Sequence, residues 1–412
     1  MNTRLRLTAV SFLEFFSWGS WLISFGGYLI VVLKFTGGET GAIYGTQGVA
    51  ALFMPALLGI VADRWVNVER LFGLCHLVSA AALIWASTIS DYDTMYWAML
   101  LNALAFMPTL ALSNSLSYTI LEKDGLDIVK SFPPIRVWGT IGFIIAMWVV
   151  DLAGWSLSPN MLYVSAAASI VLGLFSFTLP ECPPVKTNKA VTWITALGLD
   201  AFVLFKNKRI AIFFIFSMFL GAALQITNIY GEAFLHSFNN LFPDSFAVTH
   251  PGLLMSISQI SETVFILTIP FFVHRFGIKA VMLMSMFAWA LRFTSFALGD
   301  PGDGLPFLVF SMIIYGMAFD FFNISGSLFI RMESEKSMIS RAQGLFTMLT
   351  NGLGSWLGAQ FSGRVVDFFT HDDSRDWTSI WYSFGAYALV LGIVFPFVFR
   401  YKHNPTGTTK KQ

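Results

Sequence analysis

Charge is what this chain has least of. Asp, Glu, Lys and Arg make up 12% of its 412 residues, about half of the ~25% usual in soluble domains. The net charge of +1 gives no electrostatic case for nucleic acid or for an acidic partner. Cysteine is nearly absent. Cys75 and Cys182 cannot build a disulfide framework or a metal cluster, and both read as free thiols. The histidines are scattered over span ends and loops. There is no His-Glu-x-x-His pair, no Gly-x-Ser-x-Gly elbow and no phosphate loop. These absences leave little for an intramembrane enzyme, and they imply no cofactor and no metal. A cleavable leader is not expected either, because Met1–Leu7 runs straight into an apolar stretch without a small-residue cleavage site.

What the chain has in excess is apolar area. The hydrophobic fraction is 56%, the mean hydropathy +0.67, and there are 43 Phe and 13 Trp. A soluble fold of this size could not hide so much of it, so lipid is the expected solvent. A bilayer core needs about 20 apolar residues per helical crossing. Twelve such stretches follow one another, at 5–33, 41–62, 71–89, 94–121, 132–152, 160–180, 209–235, 252–273, 279–298, 305–330, 340–362 and 378–400. The expected fold is all-α, with twelve transmembrane helices in two six-helix bundles. Residues 1–180 form the first bundle, 181–208 a polar linker, 209–400 the second bundle and 401–412 a polar tail. Twenty of the 25 Lys and Arg residues fall on the side that holds both termini and the linker, against Lys34, Arg364 and Arg375 on the other. The positive-inside rule therefore places the termini in the cytoplasm.

Polar groups inside these spans are expensive and informative. Glu262 lies within the apolar run Leu253–Phe272, with Gln259 three residues before it. Arg136, Thr140 and Phe143 are spaced i, i+4, i+7 and share one helical stripe. Gln225 and Asn228 repeat the i, i+3 pairing. Tyr315 and Phe319 are one turn apart, with Asp320 beside them and Asn323 a turn further on. Intramembrane amides also glue helices together, and single aromatics pack. Arg136 could be an interface anchor. Four polar stripes together favour the lining of a solute pathway. Glu14, Glu262 and Asp320 are the carboxylates able to carry a coupling proton, since burial disfavours their charged form. Glu232, at the end of the seventh span, reads as interfacial, and a pairing of Asp320 with Arg292 is weak on depth counting.

Two levels of resemblance follow. Six plus six helices, and the loop string Gly59-Ile-Val-Ala-Asp63-Arg64 between the second and third spans, resemble the major facilitator superfamily. There, Asp63 and Arg64 would act in gating. The strings Phe132-Pro-Pro-Ile-Arg136-Val-Trp-Gly-Thr140-Ile-Gly-Phe143, Leu224-Gln225-Ile-Thr-Asn228, Ser258-Gln259-Ile-Ser-Glu262 and Tyr315-Gly-Met-Ala-Phe319-Asp320 resemble the bacterial nucleoside:proton symporters over nearly the whole chain. The resemblance implies proton-coupled nucleoside import across a bacterial inner membrane by a monomer. It also implies that Arg136, Thr140, Phe143, Gln225, Asn228, Gln259, Glu262, Tyr315 and Phe319 contact the nucleoside. The side chains suit such a solute: a flat base for aromatic rings and amides, ribose hydroxyls for a carboxylate or Gln, and no phosphate to demand a basic cluster. Glu14 and Gln47 are where base preference would be set. A carrier of another polar solute, such as a sugar, or a non-transporting membrane sensor are the alternatives.

Overall fold

The computed structural model describes residues 2–184, 199–335, 338–372 and 374–401. The middle of the expected linker, 185–198, and the tail 402–412 lie outside the described residues. In chain order the helices are α1 (Thr3–Gly19), α2 (Phe25–Gly27), α3 (Gly37–Arg64), α4 (Val68–Ala86), α5 (Tyr92–Phe106), α6 (Thr109–Lys123), α7 (Ile128–Leu152) and α8 (Asn160–Ser176), then α9 (Lys208–His236), α10 (Phe246–Thr249), α11 (Pro251–Phe276), α12 (Ile278–Leu298), α13 (Leu305–Glu333), α14 (Ile339–Thr347), α15 (Ser355–Phe368) and α16 (Trp377–Val398). A two-residue antiparallel pair, β1 (Thr370–His371) and β2 (Ser374–Arg375), makes the tight turn before α16. Among the described residues, nine helices are long and apolar enough to cross a membrane, with α5 and α6 counted as one. Each of the twelve expected spans coincides with a helix or a broken helix, so the all-α membrane fold read from the sequence is the one observed.

The breaks have local causes. The first span was expected to be continuous, but α1 stops at Gly19. The Ser20 hydroxyl then donates to the Phe16 carbonyl at 2.7 Å, and hydroxyls that bond their own backbone loosen a helix. The chain resumes as α2 and a π-helical turn, Tyr28–Val32. The fourth span is interrupted at Met107–Pro108, where proline lacks an N–H. The eleventh carries a π-helical turn, Met348–Gly354, between α14 and α15.

Helices α1–α8 pack mainly among themselves, and so do α9–α16. Twelve crossings return the chain to the end of the bundle where it began, here called the termini end. At the opposite, far end the two groups meet through α2 and α9, α3 and α15, and α7 and α11. The contacts there are reciprocal. The Asp367 carboxylate, at the end of α15, accepts from the Gly37 and Gly38 amides at 2.6 and 2.8 Å and so caps α3. The Asp151 carboxylate, at the end of α7, accepts from the Gly252 amide at 3.0 Å and caps α11, with His250 Nδ1 also 3.0 Å away. Each group thus supplies an anion to a helix N-terminus of the other, which backbone donors and the helix dipole both favour. Trp148 Nε1 donates to Ser256 Oγ at 2.9 Å beside the second cap.

Asp151 is buried. Asp151→Ala is therefore expected to loosen the far end by about 1–3 kcal/mol, the range for losing charged hydrogen bonds. Hydrogen exchange read at the Gly252 amide and the first turn of α11 should quicken, with the remainder of α11 unchanged. Equal protection in the variant would mean the cap holds nothing.

One sequence expectation needs correction. Glu232 is fully buried, not interfacial. Its Oε1 is 3.6 Å from His236 Nε2, and neither of its oxygens has a hydrogen-bond partner among the described residues. The described ends of the linker are packed. Cys182 is buried, its amide donates to Glu69 Oε2 at 2.8 Å, and Leu199–Lys206 forms a 3-10 helix with Ala201 buried. Burial pushes the Cys182 thiol up to about 11, and the Glu69 carboxylate adds to the effect.

Candidate functional site

Close backbone approach sets the geometry of the first group. A Cβ on Gly142 would lie 2.3 Å from the Phe12 carbonyl oxygen, so α1 and α7 touch there without side chains between them. That contact brings the α7 stripe against α1. The Arg136 guanidinium carbon sits 4.0 Å over the Phe15 ring, and the Phe143 ring meets Trp18 edge-on at 6.3 Å. Thr140 lies half-buried between them. Trp18 Nε1 donates to Gln47 Oε1 at 3.2 Å, which ties α1 to α3. Glu14 lies one turn before Trp18 and is buried facing Ser113 and Thr109 of α6 and Arg136 of α7.

Gly316 plays the matching part in the second group. A Cβ there would be 2.6 Å from the Ser261 carbonyl oxygen, so α11 and α13 are in backbone contact beside Glu262. Tyr315 and Phe319 stack at 5.8 Å with planes 5° apart. The Arg292 guanidinium carbon lies 4.6 Å over the Tyr315 ring, and Arg292 Nη1 donates to the Ser311 carbonyl at 2.7 Å. Arg292 thus buttresses Tyr315, and no ion pair to Asp320 is formed. Gln259 reaches the Tyr315 hydroxyl. On α9, Gln225 Nε2 donates to Ser355 Oγ at 3.1 Å, while its Oε1 has no partner among the described residues. Asn228 follows one turn later, half-buried.

The structure brings most of these groups into one electrostatic neighbourhood. Arg136 interacts electrostatically with two carboxylates, Glu14 of the first group and Glu262 of the second. Glu262 in turn feels Asp320. The sequence stripes therefore meet across the boundary between the two helical groups. The far end above them is sealed by the packing described. Towards the termini end, a Cβ on Gly59 of α3 would meet nothing within 4 Å. Asp63 and Arg64 are not part of the assembly. Both are exposed at the end of α3 and form no hydrogen bond or ion pair among the described residues.

Trp18, Phe15 and Ser355 are neighbours that sequence reasoning passed over. Trp18 carried a signal, its i, i+4 spacing from Glu14. Ser355 carried none, because its contact with Gln225 joins positions 130 residues apart.

A sequence profile described as "Nucleoside H+ symporter" matches residues 1–404. The xanthosine permease of Escherichia coli (strain K12) is 53% identical over 408 residues, covering 98% of each chain. The nucleoside permease NupG of the same organism is 54% identical over 413 residues, covering 99% of each chain. A crystal structure of nucleoside transporter NupG matches with a TM-score of 0.94 at 53% identity, covering 97% of this chain and 100% of that one.

Proposed function

The chain belongs to the nucleoside–proton symporter family, and from that membership we propose that it imports purine or pyrimidine nucleosides together with protons by alternating access. It is a transporter and not an enzyme. The observation that supports this reading most is the electrostatic interaction of Arg136 with both Glu14 and Glu262, one carboxylate from each helical group. A charge network that spans the two groups feels their relative motion, which is what coupling requires. Arg136, Thr140, Phe143, Gln225, Asn228, Gln259, Glu262, Tyr315 and Phe319 form the nucleoside site in this reading. Glu262, Asp320 and Glu14 share the proton, and Asp63 and Arg64 act when the termini end closes.

Residues 1–180 and 209–400 are the two bundles that rock about this site, joined by the linker 181–208, and 401–412 is a cytoplasmic tail. The protein is a monomer in the lipid of a bacterial inner membrane. Both termini are cytoplasmic, on the support of the Lys and Arg distribution. The far end is then the outer end, and the geometry is that of an inward-facing carrier. Protons load from outside, and each brings roughly 2.3 kcal/mol per 100 mV of membrane potential.

Counterflow in liposomes tests this reading. Vesicles preloaded with unlabelled uridine are expected to draw in labelled uridine transiently. Unlabelled nucleosides should compete and sugars should not. Competition by sugars alone, or no counterflow with any nucleoside, would overturn the substrate assignment.

A further inference from the structure

Two buried polar atoms flank Trp18 without partners among the described residues: Glu14 Oε1, an acceptor, and Gln47 Nε2, a donor. Their neighbours explain why they stay unmet. The Thr109 hydroxyl donates to its own helix at the Phe106 carbonyl, at 2.7 Å, and the Ser113 hydroxyl to Leu110 at 3.4 Å. Both hydroxyls face Glu14, yet its Oε1 has no hydrogen-bond partner among the described residues. Gln47 has committed its oxygen to the Trp18 indole, and its amide nitrogen is the end left over. Buried groups in this condition are costly and call for an explanation. Glu14 lies one turn before the half-buried Trp18 on α1, Gln47 reaches its indole from α3, and the Phe143 ring stands edge-on to that indole. An acceptor and a donor beside an aromatic wall fit a flat heterocycle whose edge offers a donor next to an acceptor.

We propose that Glu14 and Gln47 form a nucleobase-reading subsite on the first bundle, Glu14 accepting from an N–H on the base edge and Gln47 donating to the adjacent carbonyl or ring nitrogen. The base then lies against Trp18 and Phe143. The ribose faces Gln225, Gln259 and Glu262 of the second bundle, whose amides and carboxylate suit hydroxyls. The subsite rests on the nucleoside reading above and adds the orientation of the solute and the residue that discriminates bases. Arg136, whose guanidinium faces Glu14, is a positioning residue for this contact.

The test compares KM for uridine, 3-methyluridine and 2′-deoxyuridine in the full-length protein in proteoliposomes. Methylation removes the ring N–H without touching the ribose, and the deoxy analogue does the reverse. In the unaltered protein, 3-methyluridine is expected to have a KM about tenfold or more above that of uridine, the effect of leaving a buried acceptor unpaired. Glu14→Met should bring that ratio to within about twofold, with the 2′-deoxyuridine ratio unchanged. Glu14→Gln keeps the shape and an acceptor oxygen but loses the charge. It should retain part of the discrimination, since charged hydrogen bonds are about twice as strong as neutral ones. It also serves where Glu14→Met does not reach the membrane. An unchanged methyl ratio in either variant overturns the subsite. So does an equal rise in KM for all three solutes, or a loss of pH dependence with the ratio intact, which would make Glu14 a proton carrier only. If the unaltered protein transports none of the three, the nucleoside reading itself falls, and that result is distinct from a failed ratio.

Discussion

Replacing Arg136 with alanine is expected to cut nucleoside uptake at least about a hundredfold while the protein still reaches the membrane. Removing one partner of a buried charge cluster costs about 3–5 kcal/mol, and here the lost cation serves two carboxylates, Glu14 and Glu262. At the site Glu14 and Asp320 are buried, Glu262 and Arg136 are half-buried, and Arg292 is buried under Tyr315. Three acids against two bases balance when one proton is bound. Without Arg136 the same site needs two, and the cycle stalls with carboxylates that cannot be desolvated together. Glu262→Gln acts from the other side of the ledger. It fixes the neutral form, so exchange of nucleoside across the membrane can persist at a lower rate while accumulation against a gradient is lost. The pH response carries the sign. In the unaltered protein uptake rises as the outer pH falls, because proton loading outside is driven by proton concentration. In Glu262→Gln it should be flat. Labelled uridine uptake with an imposed pH gradient, read beside counterflow without one, separates the two variants. Normal gradient-driven uptake by both would remove Arg136 and Glu262 from the site.

The parts of this site that could be read from the sequence are those written in helical period. Arg136, Thr140 and Phe143 fall on one stripe of α7, and Gln225 with Asn228 on one face of α9, because residues three and four apart share a face wherever the helix lies. The twelve spans were legible for a similar reason, since bilayer thickness imposes a length on each. What the sequence did not carry is which faces meet. The place of Glu232 at the end of a span reads as interfacial, yet α9 ends against α2 and α3, and the carboxylate is enclosed. The break after Gly19 depends on a serine bonding its own helix, a choice that hydropathy does not register. The subsite around Trp18 joins α1, α3, α6 and α7, and only the packing of all four reveals that Glu14 Oε1 and Gln47 Nε2 are enclosed without partners among the described residues.

Substituting Gly26 with valine is expected to hold the carrier open to the outside and to abolish transport. A Cβ at Gly26 would stand 1.8 Å from the Ile229 carbonyl oxygen, and one at Gly41 2.2 Å from the Ala359 carbonyl oxygen. Both obstacles are backbone of the opposite bundle, so no rotamer change can relieve them. Both lie at the end where Asp151 and Asp367 make their reciprocal caps. Overpacking of this kind costs about 1–3 kcal/mol where neighbours can adjust, and more where they cannot. About 3 kcal/mol against the inward-facing state alone moves the balance between states more than a hundredfold. A buried reporter at the outer seam reads the shift: Ser256→Cys is enclosed beside Trp148 in the inward-facing form. The native thiols do not compete for an impermeant reagent added outside, because Cys75 and Cys182 are buried. Labelling of Ser256→Cys should accelerate at least about tenfold when Gly26→Val is added, and nucleoside should still bind from the outer side. Unchanged labelling with uptake intact would mean that the seam does not rely on bare backbone contact, and that the bundles close on some other surface.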